Sequence, residues 1–176
     1  MPAVPESVYL GIDPGLGTTG YGVLRFRPGT IDLIDAGVIR SSAGDPLPER
    51  LDELFQGIVE IIDRYMPCAM GIEKLYAHYS HPMTAIKMAH ARGVLCLAAV
   101  QRNVRQVPLP STRIKKLVTG NGRASKEQVS GMVRHLLGIT VEIKPDDVTD
   151  ALAIAIAAYE SDRNDRKYKG LGRENG

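Results

Sequence analysis

The chain has 176 residues, 44% of them hydrophobic, enough to bury a full core within one domain rather than two. Cys68 and Cys96 lie in apolar stretches without a CxxC partner, which argues against a disulfide scaffold and reads as two reduced core thiols in a cytoplasmic protein. The formal net charge of +2 excludes a strongly acidic or strongly basic chain taken as a whole. The N-terminus has no basic segment leading into an apolar one, and no apolar run approaches bilayer-spanning length. Both predict a soluble protein without a signal peptide or membrane association.

In chain order, Val8 to Asp13 reads as a first strand and Pro14-Gly15-Leu16-Gly17 as a turn. Tyr21 to Phe26 and Ile31 to Arg40 follow as strands around the Pro28-Gly29 turn, making an antiparallel meander. From Pro48 to Tyr65 the apolar residues Leu51, Leu54, Phe55, Ile58, Ile61 and Ile62 recur at helical spacing. Cys68 to Glu73 returns to strand. A helix opens near His81-Pro82, with proline suited to its first turn, and runs towards Arg102. Val104 to Leu109 is a further strand, followed by basic helices over Ser111 to Val118 and Ser125 to Leu137, the second with a capping serine. The last helix starts near Asp146 and ends about Tyr159. Residues 1–161 are expected to form one domain, and residues 162–176 a mobile charged tail.

Gly15-Leu16-Gly17-Thr18-Thr19-Gly20 satisfies GxGxxG, but a dinucleotide site needs a helix to begin there. Tyr21-Gly22-Val23-Leu24-Arg25-Phe26 is instead rich in strand formers, so the glycines read as a tight hairpin beside Asp13. Charge is strongly segregated. Between Lys74 and Lys126 there are ten Lys and Arg and no Asp or Glu, which leaves 12 basic residues against 20 acidic ones elsewhere. A solvated helix face mixes both signs, so an uninterrupted cationic third points to a polyanion such as nucleic acid.

Asp13 and Glu73 share a local grammar, Gly11-Ile12-Asp13 and Gly71-Ile72-Glu73, each closing an apolar strand. Asp147 and Asp150 stand three apart on one helix face at the start of the run Ala151 to Ala158. Alone, that pair reads as first-turn acids favoured by the helix dipole. Joined by Asp13 and Glu73, it suggests hard oxygen ligands around a divalent metal. Asp146 reads as the helix cap. His78, His81 and His90 lack a convincing ligand spacing, so they are not read as a zinc site.

The element order and several motifs together resemble the ribonuclease H-like superfamily and, within it, the RuvC family of Holliday-junction resolvases. The motifs are Gly11-Ile12-Asp13-Pro14-Gly15 with Thr19-Gly20-Tyr21-Gly22, Ile72-Glu73, Ala91-Arg92-Gly93-Val94, Arg113-Ile114-Lys115 with Gly120-Asn121-Gly122, and Asp147-Val148-Thr149-Asp150-Ala151-Leu152-Ala153. The resemblance implies an α/β fold: a central five-stranded mixed sheet, the meander plus parallel strands, flanked by helices. It implies that Asp13, Glu73, Asp147 and Asp150 are both catalytic and metal-binding, holding two Mg²⁺ ions, with Mn²⁺ a possible substitute. Tyr76 matches the position of a base-stacking aromatic, and Lys115 and Lys126 match basic positions near the cleaved backbone; Arg92 and Arg113 join them as expected DNA contacts. The implied activity is symmetric nicking of two strands of like polarity in a four-way junction, leaving 5′-phosphate and 3′-hydroxyl ends, by a homodimer working with RuvA and RuvB. A related nuclease acting on structured RNA is the alternative. An actin-like ATP-binding module is disfavoured because it needs a second lobe.

Overall fold

The computed structural model describes residues 6–75 and 82–171, with the side chains of the last helix described as far as Arg166. Five strands, β1 (Ser7–Asp13), β2 (Thr18–Arg27), β3 (Thr30–Arg40), β4 (Ala69–Glu73) and β5 (Arg105–Leu109), form one mixed sheet in the order β3-β2-β1-β4-β5. The first three pair antiparallel, and β4 and β5 add in parallel to β1. Five helices flank the sheet: α1 (Leu47–Tyr65), α2 (Pro82–Gln101), α3 (Ser111–Thr119), α4 (Lys126–Leu137) and α5 (Asp146–Leu171). The expected α/β architecture is therefore present.

Strand alternation divides the core into two layers. Leu10, Ile12, Met70 and Ile72 face the α1/α2 side, where they join Leu54, Ile58, Leu95 and Ala98. Tyr9 and Ala69 belong to the opposite core, with Ala153, Ala155 and Ala157 of α5. Gly11 and Asp13 alternate with Leu10 and Ile12 and so face α5. Gly22, Gly11 and Gly71 are direct neighbours across β2, β1 and β4, a row of glycines lying across the sheet. A Cβ at Gly11 would strike the Ala151 carbonyl oxygen and the Ala155 nitrogen, and one at Gly71 would strike the Ala158 methyl. Glycine beneath and alanine above thus bring α5 onto the sheet at backbone contact.

Several boundaries and environments differ from those expected. Strand β2 begins at Thr18 instead of Tyr21, because the Thr19 hydroxyl donates to the Gly15 carbonyl (2.7 Å) and accepts from the Gly15 N–H (3.2 Å), closing the turn within four residues. The absence of a helix after Gly20 agrees with rejection of the dinucleotide motif. Helix α5 does not end near Tyr159 but continues to Leu171. Asp162, expected in a mobile tail, accepts a 2.7 Å hydrogen bond from the buried Tyr9 hydroxyl and pairs with Arg105. Tertiary contacts thus hold a segment whose own hydrophobic periodicity is weak. Cys68 is exposed and so is not a core thiol, whereas Cys96 is half-buried and packs against the α1/α2 core layer; Cys68 lies just before β4, where the chain enters the sheet.

Helix α2 also corrects the sequence reading. The helix is 20 residues long and its most apolar 18-residue stretch has a mean hydropathy of 1.3, enough by length and composition to cross a bilayer, although Lys87, His90 and Arg92 interrupt the run. Ala91, Leu95, Ala98 and Ala99 are buried against the rest of the chain. The opposite face leaves Met83, Ile86, Leu97 and Val100 exposed.

Candidate active site

Parallel pairing of β1 with β4 sets Ile12 opposite Ile72, so the next residues, Asp13 and Glu73, end neighbouring strands side by side. The shared Gly-Ile-acid grammar is a consequence of alternation. The glycine faces α5 and admits it, the isoleucine enters the other core layer, and the acid faces α5 again just past its glycine seat. On the other side of Asp13 its cross-strand partner is Gly20. A Cβ there would collide with the Asp147 carbonyl oxygen, so the missing side chain lets the first turn of α5 approach Asp13.

Asp13, Glu73 and Asp150 line one cavity of about 330 Å³, together with Ser111, Lys115 and Lys126 and an apolar floor that includes Ile114 and Ile154. Asp147 does not line this cavity; its backbone rests over Gly20 and its charge acts on Asp13. Lys126 is presented by a complete capping box at the start of α4. The Gln128 N–H donates to the Ser125 hydroxyl (3.2 Å), and the Ser125 N–H donates to the Gln128 side chain (2.9 Å). The Lys126 ammonium lies 3.2 Å from the Asp150 carboxylate.

The electrostatics are those of acids crowded together with too little compensation. Burial first, and then Asp150, Asp147 and Glu73, push the Asp13 carboxyl up to about 7, with Lys126 opposing. Burial and then Asp150 raise Glu73, while the Ser111 hydroxyl, Lys115 and Lys126 act the other way. The charge of Asp150, followed by its hydrogen bond, raises Lys126. Among the described residues, no three His, Cys, Asp or Glu side chains close on a single point as they stand. The acids stand closely enough to raise the proton affinity of Asp13 and Glu73 without clasping a common centre. As a donor set they fit hard divalent cations, since the acids offer carboxylate oxygens and, among the described residues, no imidazole or thiolate lines the cavity. Lys126 supplies only part of the positive charge the cluster lacks.

The expected DNA-contacting residues separate. Lys115 and Lys126 reach the acid-lined cavity, whereas Arg113, on the same helix as Lys115, does not line it. The Arg92 Nε donates to the backbone carbonyl of Glu73 at 3.1 Å. Tyr76, His78 and His81 lie outside the described residues, and His90 is exposed on α2. Asp146 pairs with Lys144 at 3.0 Å and is itself the first helical residue, so it is not the cap. Three of the ten cations in the acid-free segment are paired with acids from outside it: Arg102 with Asp63, Arg105 with Asp162 and Lys126 with Asp150. The positive face is correspondingly narrower than the sequence implied.

Sequence reasoning missed Ser111, whose only local signal was its place after Pro110. It also missed a second cavity of about 430 Å³ between α4 and the start of α5, which shares Lys126 and Asp150 with the first and adds Arg134 and Lys144.

The family model described as crossover junction endodeoxyribonuclease RuvC matches residues 9–158. A Rhodopirellula baltica protein of that description is 45% identical over 153 residues, covering 87% of this chain and 86% of its own length. A Rubrobacter xylanophilus protein of the same description is 41% identical over 158 residues, covering 90% and 88%. T. thermophilus RuvC, solved in complex with a Holliday junction substrate, superposes with a TM-score of 0.84 at 30% identity, covering 89% of this chain and 95% of that one. The yeast mitochondrial Holliday junction resolvase shares the fold, with a TM-score of 0.68 at 14% identity. The ribonuclease H-like architecture expected from the motifs is thus found, and nucleases of this family are metal-dependent. This chain belongs to the RuvC family of crossover junction endodeoxyribonucleases.

Proposed function

We propose that this protein resolves four-way (Holliday) DNA junctions in recombination and repair, nicking two strands of like polarity symmetrically to leave 5′-phosphate and 3′-hydroxyl ends. The observation that carries this reading is the grouping of Asp13, Glu73 and Asp150 around one cavity with Lys115 and Lys126, in a chain with a RuvC-family match from Tyr9 to Ala158.

In this reading Asp13, Glu73, Asp147 and Asp150 hold two Mg²⁺ ions, with Mn²⁺ an acceptable substitute. Bound ions of this kind activate water near neutral pH and stabilise the leaving oxygen. Asp13, at the end of the central strand β1 between Gly20 and the end of β4, would be the central carboxylate of the set that holds the metal. Glu73 orients the attacking water, and Asp147 and Asp150 complete the ligand set from α5. Lys115 and Lys126 offset charge that builds on the scissile phosphate. Arg113 contacts the DNA backbone beyond the cavity, and Tyr76 stacks on an exposed base.

A two-fold junction suits a two-fold enzyme, and α2 carries a surface that fits a second copy. Met83, Ile86, His90, Gly93, Leu97 and Val100 repeat at heptad spacing and are all exposed in the single chain. A Cβ at Gly93 would meet nothing within 4 Å, which leaves room for close approach by a partner helix. By family resemblance the dimer works with the branch-migration proteins RuvA and RuvB in the cytoplasm.

A synthetic four-way junction incubated with and without Mg²⁺ and resolved on a denaturing gel tests the reading. Paired nicks at symmetric positions, only with metal, are expected. Preferential cleavage of structured RNA would favour the alternative nuclease.

A further inference from the structure

We infer that Arg92 is a positioning residue for Glu73, acting through the backbone rather than through DNA; the inference rests on the reading of Glu73 as a metal ligand. The peptide unit between Glu73 and Lys74 is held at both its polar atoms. Its carbonyl accepts from the Arg92 Nε at 3.1 Å, and its N–H donates to the Leu109 carbonyl at 2.9 Å. The second bond belongs to the sheet. The first comes from α2, 19 residues further along the chain, and ties the end of β4 to a helix of the opposite core layer.

The location makes this bond consequential. Glu73 is the last residue of β4, and the next two residues, Lys74 and Leu75, are no longer strand. A carboxylate at a strand terminus takes its direction from a peptide that can rock about its last ladder bond. A guanidinium on the carbonyl prevents that rotation, in the way that partners of ligating carboxylates hold a metal site in register. Arg92 is half-buried, and the groups that influence the Glu73 carboxyl most are burial, Asp150, Ser111, Lys115 and Lys126. The cation therefore acts on Glu73 by direction, through a hydrogen bond of fixed planar geometry, more than by field.

Arg92→Met removes the donors and keeps an unbranched helix-forming side chain; Arg92→Lys retains a donor. Glu73→Gln serves as the reference that removes the carboxylate itself. The measurements are Mn²⁺ binding by calorimetry without DNA, kcat and KM on a four-way junction, and the salt dependence of junction binding. For Arg92→Met, Mn²⁺ affinity and kcat are expected to fall on the order of 10–100-fold, with KM and the salt slope unchanged, and Arg92→Lys, which keeps a donor without the planar geometry, is expected to recover only part of the loss. A raised KM with a salt slope reduced by about 1 and wild-type Mn²⁺ affinity would overturn the inference and return Arg92 to the DNA face. A lowered melting temperature with wild-type Mn²⁺ affinity and kcat in the folded protein would overturn it too. If Glu73→Gln itself binds Mn²⁺ as the wild type does, the ligand assignment fails, and not the Arg92 contact alone.

Discussion

The two ends of helix α5 carry acids of the same kind in opposite circumstances. At the far end Asp162 is satisfied, accepting from the buried Tyr9 hydroxyl and pairing with Arg105. At the near end Asp150 has one lysine, while Asp147 and Asp150 both act on a buried Asp13 whose carboxyl is pushed up to about 7. Twelve residues, about 18 Å at the helical rise of 1.5 Å per residue, separate Asp150 from Asp162. Matched charge at one end holds the helix in place, and unmatched charge at the other stores an affinity for cations. A paired carboxylate stabilises a fold; a crowded one is destabilising until a ligand arrives.

The largest effect should come from removing the crowded charge. Asp13→Asn is expected to reduce junction cleavage by three orders of magnitude or more, on the order of the loss of a transition-state electrostatic group, while gel-shift affinity for the junction stays within a few-fold. Equal loss of binding and cleavage would make Asp13 a structural residue and dissolve the contrast between the two ends.

Next in size is the glycine seat that brings the near end down onto the sheet. Gly11→Ala inserts a methyl where the Ala151 carbonyl sits, and overpacking of this kind costs about 1–3 kcal/mol or more. For a chain of this length that corresponds to a melting temperature lower by roughly 3–10 °C. An unchanged melting temperature would mean that α5 can lift freely from the strands.

The raised Asp13 also sets a pH dependence with a definite sign. Below the carboxylate's unfolded value both states are protonated. Between that value and about 7 the unfolded chain releases a proton that the native state retains, so rising pH costs stability, and the loss is complete above about 7. Metal-free protein should therefore melt lower at pH 8 than at pH 5, by on the order of 2 kcal/mol after allowance for coupling among the acids. Mg²⁺ should restore the loss, and Asp13→Asn should remove this component of the slope. A profile identical in wild type and variant would contradict the electrostatic account.

The smallest effect is expected at the satisfied end. Asp162→Ala leaves the Tyr9 hydroxyl buried without its acceptor, at a cost of about 1–2 kcal/mol, with kcat per folded molecule unchanged. A fall in kcat at full folding would show that the clamp also sets the register of the catalytic end.

Much of this was legible in the sequence for local reasons. Period-two alternation, prolines, glycine turns and the Ser125 cap are properties of neighbouring residues, and they located the five strands and the starts of the five helices to within a few positions. The repeated Gly-Ile-acid pattern marked Asp13 and Glu73 because both strands need the same side-chain order on the same face. The end of α5 was not legible, since residues after Tyr159 lack an apolar stripe and are helical through Tyr9 and Arg105, both far away in the chain. The contact of Arg92 with the Glu73 carbonyl was not legible either, because an arginine in an acid-free segment looks alike whether it faces solvent or a backbone carbonyl.

By itself the sequence determined which residues are acidic, which faces are apolar and where each element begins, because these depend on spacings of a few residues. Only the tertiary structure decided that Gly20 lies opposite Asp13 and beneath Asp147, that Lys126 meets Asp150, and that Arg92 holds the end of β4. Those distances depend on strand order and on how deeply α5 settles on the sheet, and many residues fix them jointly through packing, with no periodic signature in any one segment.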